Sequence, residues 1–394
     1  MKSNREILIE KLESQDLLDG RYEQLRCVSF PDGRKRGAFS LVFRALDRLE
    51  QKPVAIKFFD PASEIMRDTY RLRAFAREPV ILQQLLGNKR CLQLVAGLKI
   101  YNLEFPSQDG TAIAAIACQY FVVDYLPEEL DLFFEQQHEF SAEEKLLLFN
   151  EIVLAVEALH VHEVFHRDIK ADNLRAYEDA LKRIVVAVDL GTAALCDSSH
   201  IVDSSDYPQP VGHINYSSPE ARCGLAIDRR IGRYSDIYAL GCLLYELFNK
   251  DLFAVQIHKD MHYRAALGAL IVTLLMHNTL DEKIEAWKTN ICGLRPSITP
   301  VSVTIDGHSV PPEIEVPLNE LLLRLTTFDF QQRISNLQEV RERVWNMIRT
   351  GRNSRARQKA IALKRLRREN SLRKIRHREQ RLAEYLSKAR HLLC

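Results

Sequence analysis

Short apolar runs dominate the beginning of the chain. Residues 22–30, 41–43 and 54–59 are typical of β-strands, and residues 112–125 contain two further strand-like runs. Residues 5–19 come before these runs, and their apolar side predicts a short amphipathic helix. The first 125 residues are therefore expected to form a small unit rich in strands.

Apolar residues spaced three and four positions apart predict helices in the following part of the chain. Residues 62–86 show this pattern, and residues 141–160 show it strongly. Ser141 is expected to cap the latter helix, because Glu144 stands three residues on, at the spacing of a capping box. A further apolar helix is predicted to open near Ser235. Residues 184–188, by contrast, form a near-continuous apolar run typical of a buried strand.

Composition places the chain among ordinary globular proteins. Of its 394 residues, 46% are hydrophobic and 27% are charged. The beginning of the sequence shows no secretory signal, and the longest apolar stretch, residues 265–276, is too short to span a bilayer. The eight cysteines are scattered and form no C-x-x-C pair, which favours reduced thiols. We therefore expect a cytoplasmic protein.

Charge is distributed very unevenly. Residues 351–394 hold 15 Lys and Arg against 3 Asp and Glu, so this tail carries a net charge of +12 and the remainder −10. Its apolar residues fall on one stripe that Glu379 interrupts: Leu372, Ile375, Leu382, Leu386, Ala389 and Leu393. Three interpretations remain open. The tail is a helix that docks on the acidic body or is merely solvated, it binds nucleic acid or an anionic surface, or it forms a coiled coil between two chains.

Candidate chemistry concentrates in the loop at residues 164–174. Asp168 can accept a proton, Lys170 can neutralise a transferring anion, and Asn173 can help to hold a divalent metal ion. Asp189 directly follows the apolar run at 184–188, so its carboxylate is well placed for magnesium. Lys57 ends the sequence V-A-I-K.

These motifs, in this order, resemble those of the protein kinase family. Residues 166–173 match H-R-D-x-K-x-x-N, and residues 189–191 resemble D-F-G with leucine for phenylalanine. Residues 212–220 resemble G-T-x-x-Y-x-A-P-E, with His213 in place of the threonine. Residues 236–241 match D-x-x-x-x-G, and 329–333 match D-x-x-x-R. Asp236 is expected to hold the loop backbone and Arg333 to pair with Glu220.

The resemblance implies an α+β, bilobal protein-kinase fold. Residues 20–348 would be the kinase domain, preceded by a helical extension at 1–19 and followed by a basic helical tail at 349–394. The small, β-rich N-lobe would cover about 20–125 and the larger, helical C-lobe about 126–348. The distance from Asp236 to Arg333 is longer than is usual in the family. The additional residues fall at about 255–315, and no function is assigned to them.

The resemblance also implies binding of ATP and Mg²⁺. The catalytic residues would be Asp168, Lys170 and Asn173, and the metal ligands Asn173 and Asp189. The ATP-binding residues would be Gly37, Val42, Ala55, Lys57, Glu78, Asp124 and Leu126. Gly37 is the one glycine that remains of the family's glycine-rich loop. Glu78 is expected to pair with Lys57, with Glu64 as the alternative, because Pro79 should kink or restart the helix there.

The implied activity is that of a serine/threonine protein kinase, which transfers the γ-phosphoryl group of ATP to a protein hydroxyl. Lys170 is typical of the Ser/Thr-specific pattern. Arg167 next to Asp168 suggests that phosphorylation orders the loop, with candidate hydroxyls in residues 198–207. The alternative is a pseudokinase, a kinase-shaped scaffold. The poor glycine loop, Pro79 and His213 favour that alternative.

Overall fold

Strands concentrate before residue 125 and helices after it. The computed structural model describes residues 2–31, 39–66, 68–106, 113–195, 212–226, 229–294, 298–303 and 310–392. The strands are β1 (Leu17–Leu18), β2 (Tyr22–Cys27), β3 (Ser40–Asp47), β4 (Lys52–Phe59), β5 (Leu94–Pro106), β6 (Ile113–Asp124), β7 (Glu128–Glu129), β8 (Val164–Phe165), β9 (Leu174–Asp179), β10 (Lys182–Ala187) and β11 (Ala194–Leu195). The helices are α1 (Asn4–Ser14), α2 (Ser63–Met66), α3 (Thr69–Gln84), α4 (Asp131–Glu135), α5 (Ala142–Val161), α6 (Pro219–Arg222), α7 (Arg229–Phe248), α8 (Phe253–Ile257), α9 (Met261–Leu275), α10 (Leu280–Leu294), α11 (Pro312–Thr326) and α12 (Leu337–Leu392). The predicted α+β, two-lobed architecture is confirmed.

The N-lobe is built on a six-stranded antiparallel sheet in the order β1-β2-β3-β4-β6-β5. Val42 on β3 lies opposite Lys57 on β4, and Ala55 lies opposite Val123 on β6. Side chains directly opposite, and those two apart along a strand, share one face of a sheet. Val42, Ala55 and Lys57 therefore lie on the same face, and this face packs towards the C-lobe core.

The other face of the sheet is covered by helix α1. Leu8 and Leu12 are completely buried against Phe43, Phe58 and neighbouring side chains of the sheet. Arg5 also lies 2.7 Å from the carboxylate of Asp60, just after β4. The predicted N-terminal helix is thus present, although it ends at Ser14.

Three local predictions need correction. Residues 113–124 form one strand, not two, and β5, which the pattern did not predict, is its partner. The strand predicted at 22–30 ends at Cys27. Helix α3 runs without a break through Pro79, so the predicted restart at that residue is wrong. A proline inside a helix costs about 3 kcal/mol, and the burial of Phe75, Ile81 and Leu82 on the same helix offsets this cost.

The C-lobe is organised around α5 and α7, which pack against each other in the large core. Ser141 and Glu144 form the predicted capping box at the start of α5. Residues in the 255–315 region supply α9, α10 and most of α8. Trp287 on α10 is completely buried and donates a hydrogen bond to Asp329 over 3.3 Å. This region is therefore part of the lobe's core.

Helix α12 spans 56 residues and continues across residue 349 without interruption. Its first turns pack into the C-lobe through four buried side chains, those of Val340, Val344, Met347 and Ile348. The described side chains after Ser354 are exposed. Beyond Arg355, the described part of the tail therefore does not dock along the acidic body. In the described part of the chain, no helix combines the length and the apolar character needed to cross a membrane.

Gly241 lies where α7 approaches α11 closely. A Cβ atom at this position would lie 2.4 Å from Cγ2 of Thr326 and 2.9 Å from Cβ of Leu325. We expect Gly241→Ala to lower the free energy of unfolding by about 1–3 kcal/mol, because the two helices must move apart. Urea denaturation measures this change.

Gly268→Ala is the matched control. Gly268 lies on α9, is exposed, and has open space around its would-be Cβ atom. This substitution should raise the free energy of unfolding by about 0.5–1 kcal/mol, through helix propensity alone. Equal effects of the two substitutions would contradict the close approach of α7 and α11.

Candidate active site

Asp236 on α7 holds the backbone of the loop between β8 and β9. Its carboxylate accepts hydrogen bonds from the backbone N–H groups of His166, at 2.8 Å, and Arg167, at 2.7 Å. The ring Nε2 atom of His160 lies 2.9 Å from the same carboxylate. Arg167 adopts a left-handed φ of 62°, a conformation that costs a non-glycine residue free energy. The buried Asp236 stabilises this conformation, so the predicted role of Asp236 is confirmed.

The predicted catalytic side chains meet in this loop. The Asn173 amide donates hydrogen bonds to the carbonyl oxygen of Asp168, at 2.9 Å, and to its Oδ2 atom, at 3.0 Å. Lys170 Nζ lies 3.9 Å from Asp168 Oδ2. Burial raises the pKa of Asp168, and the positive charge of Lys170 opposes that shift. The Asp168 carboxylate therefore has its orientation fixed by an amide and its charge balanced by an ammonium group.

The segment beginning at Gly212 crosses directly over Asp168. The backbone N–H of His213 donates a 2.5 Å hydrogen bond to Asp168 Oδ1. Gly212 has a φ of +89°, and a Cβ atom there would lie 2.2 Å from the carbonyl oxygen of Arg167. Only glycine fits this crossing. The replacement of the family's threonine by His213 does not remove the contact with Asp168, because a backbone amide makes it.

Lys57 joins the two lobes through two carboxylates. Its Nζ lies 2.7 Å from Glu78 Oε2 on α3 and 2.8 Å from Asp189 Oδ1. Glu78 also accepts a hydrogen bond from the backbone N–H of Leu190, at 3.2 Å. The predicted Lys57–Glu78 pair is thus present, whereas the side chain of the alternative, Glu64, is 72% exposed and lies beside Arg5.

Electrostatics in this cluster follow from burial and from the single ammonium group. Burial raises the pKa of Glu78, although Lys57 pulls in the opposite direction. Burial also disfavours ionisation of Asp189, but the Lys57 charge outweighs it and holds the pKa of Asp189 below its usual value. Burial disfavours the charged form of Lys57, yet Asp189 and Glu78 together raise its pKa. One cation thus serves two acidic groups.

Asn173 and Asp189 stand close together, because the backbone N–H of Val188 donates a 2.9 Å hydrogen bond to the carbonyl of Asn173. They offer one amide oxygen and one carboxylate, which are hard oxygen ligands of the kind that Mg²⁺ prefers. Within the described ranges no cluster of three or more His, Cys, Asp or Glu side chains could hold a metal ion. A site of two protein oxygens completed by phosphate and water fits Mg²⁺ in nucleotide enzymes.

The remaining predicted ATP-binding residues that the structure describes lie on, or close to, the face of the sheet that carries Lys57. Ala55 is buried and Val42 is half-buried on the face that carries Lys57. Asp124 ends β6, and its carboxylate pairs with Lys52 at 3.0 Å. Leu126 follows two residues later and is half-buried. Gly37 and residues 198–207 lie outside the described residues.

Two side-chain pairs support the segment that crosses Asp168. Glu220 and Arg333 form the predicted ion pair, at 2.6 Å, and both side chains are fully buried. Tyr216 donates a 2.8 Å hydrogen bond to Glu246 on α7, and burial raises the pKa of Glu246 to about 8. The sequence analysis missed Glu246, because a single acidic residue in an apolar helix carries no motif.

Most of the chain is similar to proteins that are already known. Residues 35–346 match the family model described as the protein kinase domain. The chain is 26% identical over 232 residues to a probable serine/threonine-protein kinase of Clostridium perfringens, covering 59% of this chain and 29% of that protein. It is 30% identical over 234 residues to the serine/threonine-protein kinase PrkC of Bacillus subtilis, covering 58% and 30%. The aligned part is thus less than a third of each relative's length.

The Lys57 cluster generates a prediction about stability. Lys57→Met leaves Glu78 and Asp189 without their shared cation, and we expect it to lower the free energy of unfolding by about 3–5 kcal/mol at pH 8. The loss should be smaller at pH 5. Without Lys57, the pKa of Glu78 in the folded protein rises further above its unfolded value. The folded variant then holds a proton that the unfolded chain releases, so its stability falls as the pH rises.

Urea denaturation at both pH values checks this expectation. Lys52→Met is the matched control. It removes the partner of Asp124 in an ion pair whose side chains are 45% and 32% exposed, so it should cost less than about 1 kcal/mol. A Lys57→Met loss that is the same at pH 5 and pH 8 would exclude a stability role for Glu78 ionisation.

Proposed function

Because this chain belongs to the protein kinase family, we propose that it transfers the γ-phosphoryl group of ATP to a serine or threonine hydroxyl of a protein. The observation that carries this proposal is the simultaneous contact of Lys57 with Glu78 and Asp189. Phosphoryl transfer depends on positioning and on charge neutralisation. This contact places Lys57, which would bind phosphate, next to Asp189, which would bind the metal ion.

Each residue then has a definite role. Lys57 binds the α- and β-phosphates, with Val42, Ala55, Asp124 and Leu126 around the nucleotide. Asp168 orients the substrate hydroxyl and accepts its proton, and Lys170 offsets charge on the γ-phosphoryl group. Asn173 and Asp189 would hold Mg²⁺, which when bound neutralises charge on the phosphate oxygens.

The domain assignment belongs to the same proposal. Residues 20–348 act as the catalytic unit in the cytoplasm, and residues 349–394 act as a separate binding segment. Gly37 completes the nucleotide site, and residues 198–207 are the region where the protein phosphorylates itself. Mass spectrometry after incubation with ATP and Mg²⁺ locates any added phosphate.

The rival function is that of a pseudokinase scaffold. The features that favoured it in the sequence lose weight here, because Pro79 leaves α3 continuous and His213 still reaches Asp168 through its backbone. The two functions differ in whether Asp168 matters for phosphate transfer.

Asp168→Asn is the decisive substitution. Loss of the base should lower transfer of radiolabelled phosphate from ATP and Mg²⁺ to a generic basic protein by about 10²–10⁴-fold. Asp172→Asn is the control. The Asp172 carboxylate lies 3.8 Å from Lys170 Nζ, about as close as that of Asp168, but its side chain is 70% exposed. It should leave transfer almost unchanged. The same signal from wild type and Asp168→Asn would leave the scaffold as the better explanation.

We further propose that the tail binds a polyanion. Arg352 and Arg355 pair with Glu143 of the C-lobe at the base of the tail. The described side chains beyond Arg355 are exposed. An isolated helix with basic residues on several faces is suited to the phosphates of nucleic acid, or to an anionic lipid surface if its apolar stripe also inserts.

Two variants of the full chain separate these partners. One neutralises seven tail residues to glutamine: Arg365, Arg367, Arg368, Arg373, Lys374, Arg376 and Arg378. It should lose retention on duplex DNA, on RNA and on vesicles containing phosphatidylserine at low salt. The other, with Leu372, Ile375 and Leu382 changed to serine, should lose vesicle binding only. Retention of neither nucleic acid nor vesicles by the wild-type chain at low salt would refute the proposal, and a change in oligomeric state of the serine variant would indicate a coiled coil.

A further inference from the structure

A cavity of about 910 Å³ opens on the C-lobe, where helix α12 leaves the body. The start of α5, the end of α7, the start of α11 and the segment of α12 around Gly351 surround it. Its apolar lining includes Leu146, Phe248, Ile314 and Met347. This volume lies within the usual range for small-molecule sites. The residues assigned to phosphoryl transfer are not among its lining residues.

Lys145 lines this cavity and is an unusual residue to find there. Its side chain is 1% exposed, although it lies on the second turn of α5. Its Nζ donates one hydrogen bond, to Gln137 Oε1 at 2.7 Å, and lies 5.2 Å from the centre of the Phe248 ring. No carboxylate of the described residues pairs with it. Buried charges are normally paired, so the ammonium group lacks an anionic partner within the described part of the chain.

Burial has a measurable consequence for this amine. It lowers the pKa of Lys145 to about 8. The other charged residues that line the cavity do not neutralise Lys145: Asp251 is exposed and no ion pair joins it to Lys145, and Arg355 is itself a cation. Glu143 is already paired with Arg352 and Arg355, and Lys250 adds a second positive charge. The cavity therefore combines an apolar wall with a buried, incompletely satisfied cation.

We propose that this cavity binds a small monocarboxylate with an apolar body, and that Lys145 pairs with its carboxylate. The geometry favours one negative charge, because one ammonium group is buried here and the neighbouring arginines are occupied by Glu143. Phe248, Ile314 and Met347 would receive the apolar part. The Gln137 hydrogen bond holds Lys145 in place while its other two N–H donors remain to serve an anion.

The bound acid would also reinforce the base of the tail. Met347, Ile348 and Gly351 of α12 form one wall of the cavity. A ligand that contacts this wall adds apolar contacts to the turns at which α12 leaves the C-lobe. Binding of this acid does not require kinase activity, since none of the residues assigned to phosphoryl transfer lines the cavity.

Isothermal titration of the full-length chain with hexanoate tests this proposal. We expect saturable binding, and no comparable binding of hexanamide, which has the same shape without the charge. Lys145→Met retains the apolar length of the side chain and should weaken hexanoate binding by roughly 10- to 100-fold, as expected for a hydrogen bond to a charged group. Lys250→Met removes an exposed lysine of the same cavity and should change binding less than about 3-fold.

A second variant guards against misfolding of Lys145→Met. Gly351→Leu places a side chain where a Cβ atom would meet nothing within 4 Å, and it favours the helix. It should fold normally and weaken hexanoate binding by filling the cavity. Three results would overturn the proposal: no saturable hexanoate binding to wild type, equal affinity for hexanamide, or unchanged affinity in a folded Lys145→Met or Gly351→Leu variant.

Discussion

One ammonium group, that of Lys57, connects the parts of this structure that matter most for its chemistry. It lies on β4 of the N-lobe sheet and reaches both Glu78 on α3 and Asp189, which follows β10 of the C-lobe. Two carboxylates so close to each other would repel without it. One buried charge therefore links α3 of the N-lobe to Asp189 of the C-lobe.

The position of Lys57 follows from the alternation of side chains along β4. Alternation of side chains along β4 sends Val54, Ile56 and Phe58 to the face covered by α1, and Ala55 and Lys57 to the face above the C-lobe. One strand thus contributes to two cores at once. Helix α1 completes the upper core, and its Arg5 pairs with Asp60 at the point where β4 leads towards α3. The extension before the kinase domain therefore helps to fix the strand from which Lys57 projects.

The sequence was most informative where function depends on side chains in fixed local order. Asp168 and Asn173 lie five residues apart in one polar loop, and the resemblance of residues 189–191 to D-F-G implies that Asp189 lies beside them. It was least informative where the backbone or distant packing decides. His213 reaches Asp168 through an N–H group that almost any residue would supply, and Pro79 is tolerated because the burial of its neighbours on α3 outweighs its cost. The isolation of Lys145 likewise depends on α7, α11 and α12 meeting around α5, which no local pattern reveals.

The uninterrupted helix α12 has a mechanical consequence. From residue 353 to 392 it extends for about 60 Å at the usual rise of 1.5 Å per residue. The end of a flexible linker with the same number of residues would occupy many positions around the C-lobe. A continuous helix holds its end at one distance and in one direction. A partner bound at the far end of the helix, as proposed above, would therefore be held at a fixed distance from the C-lobe.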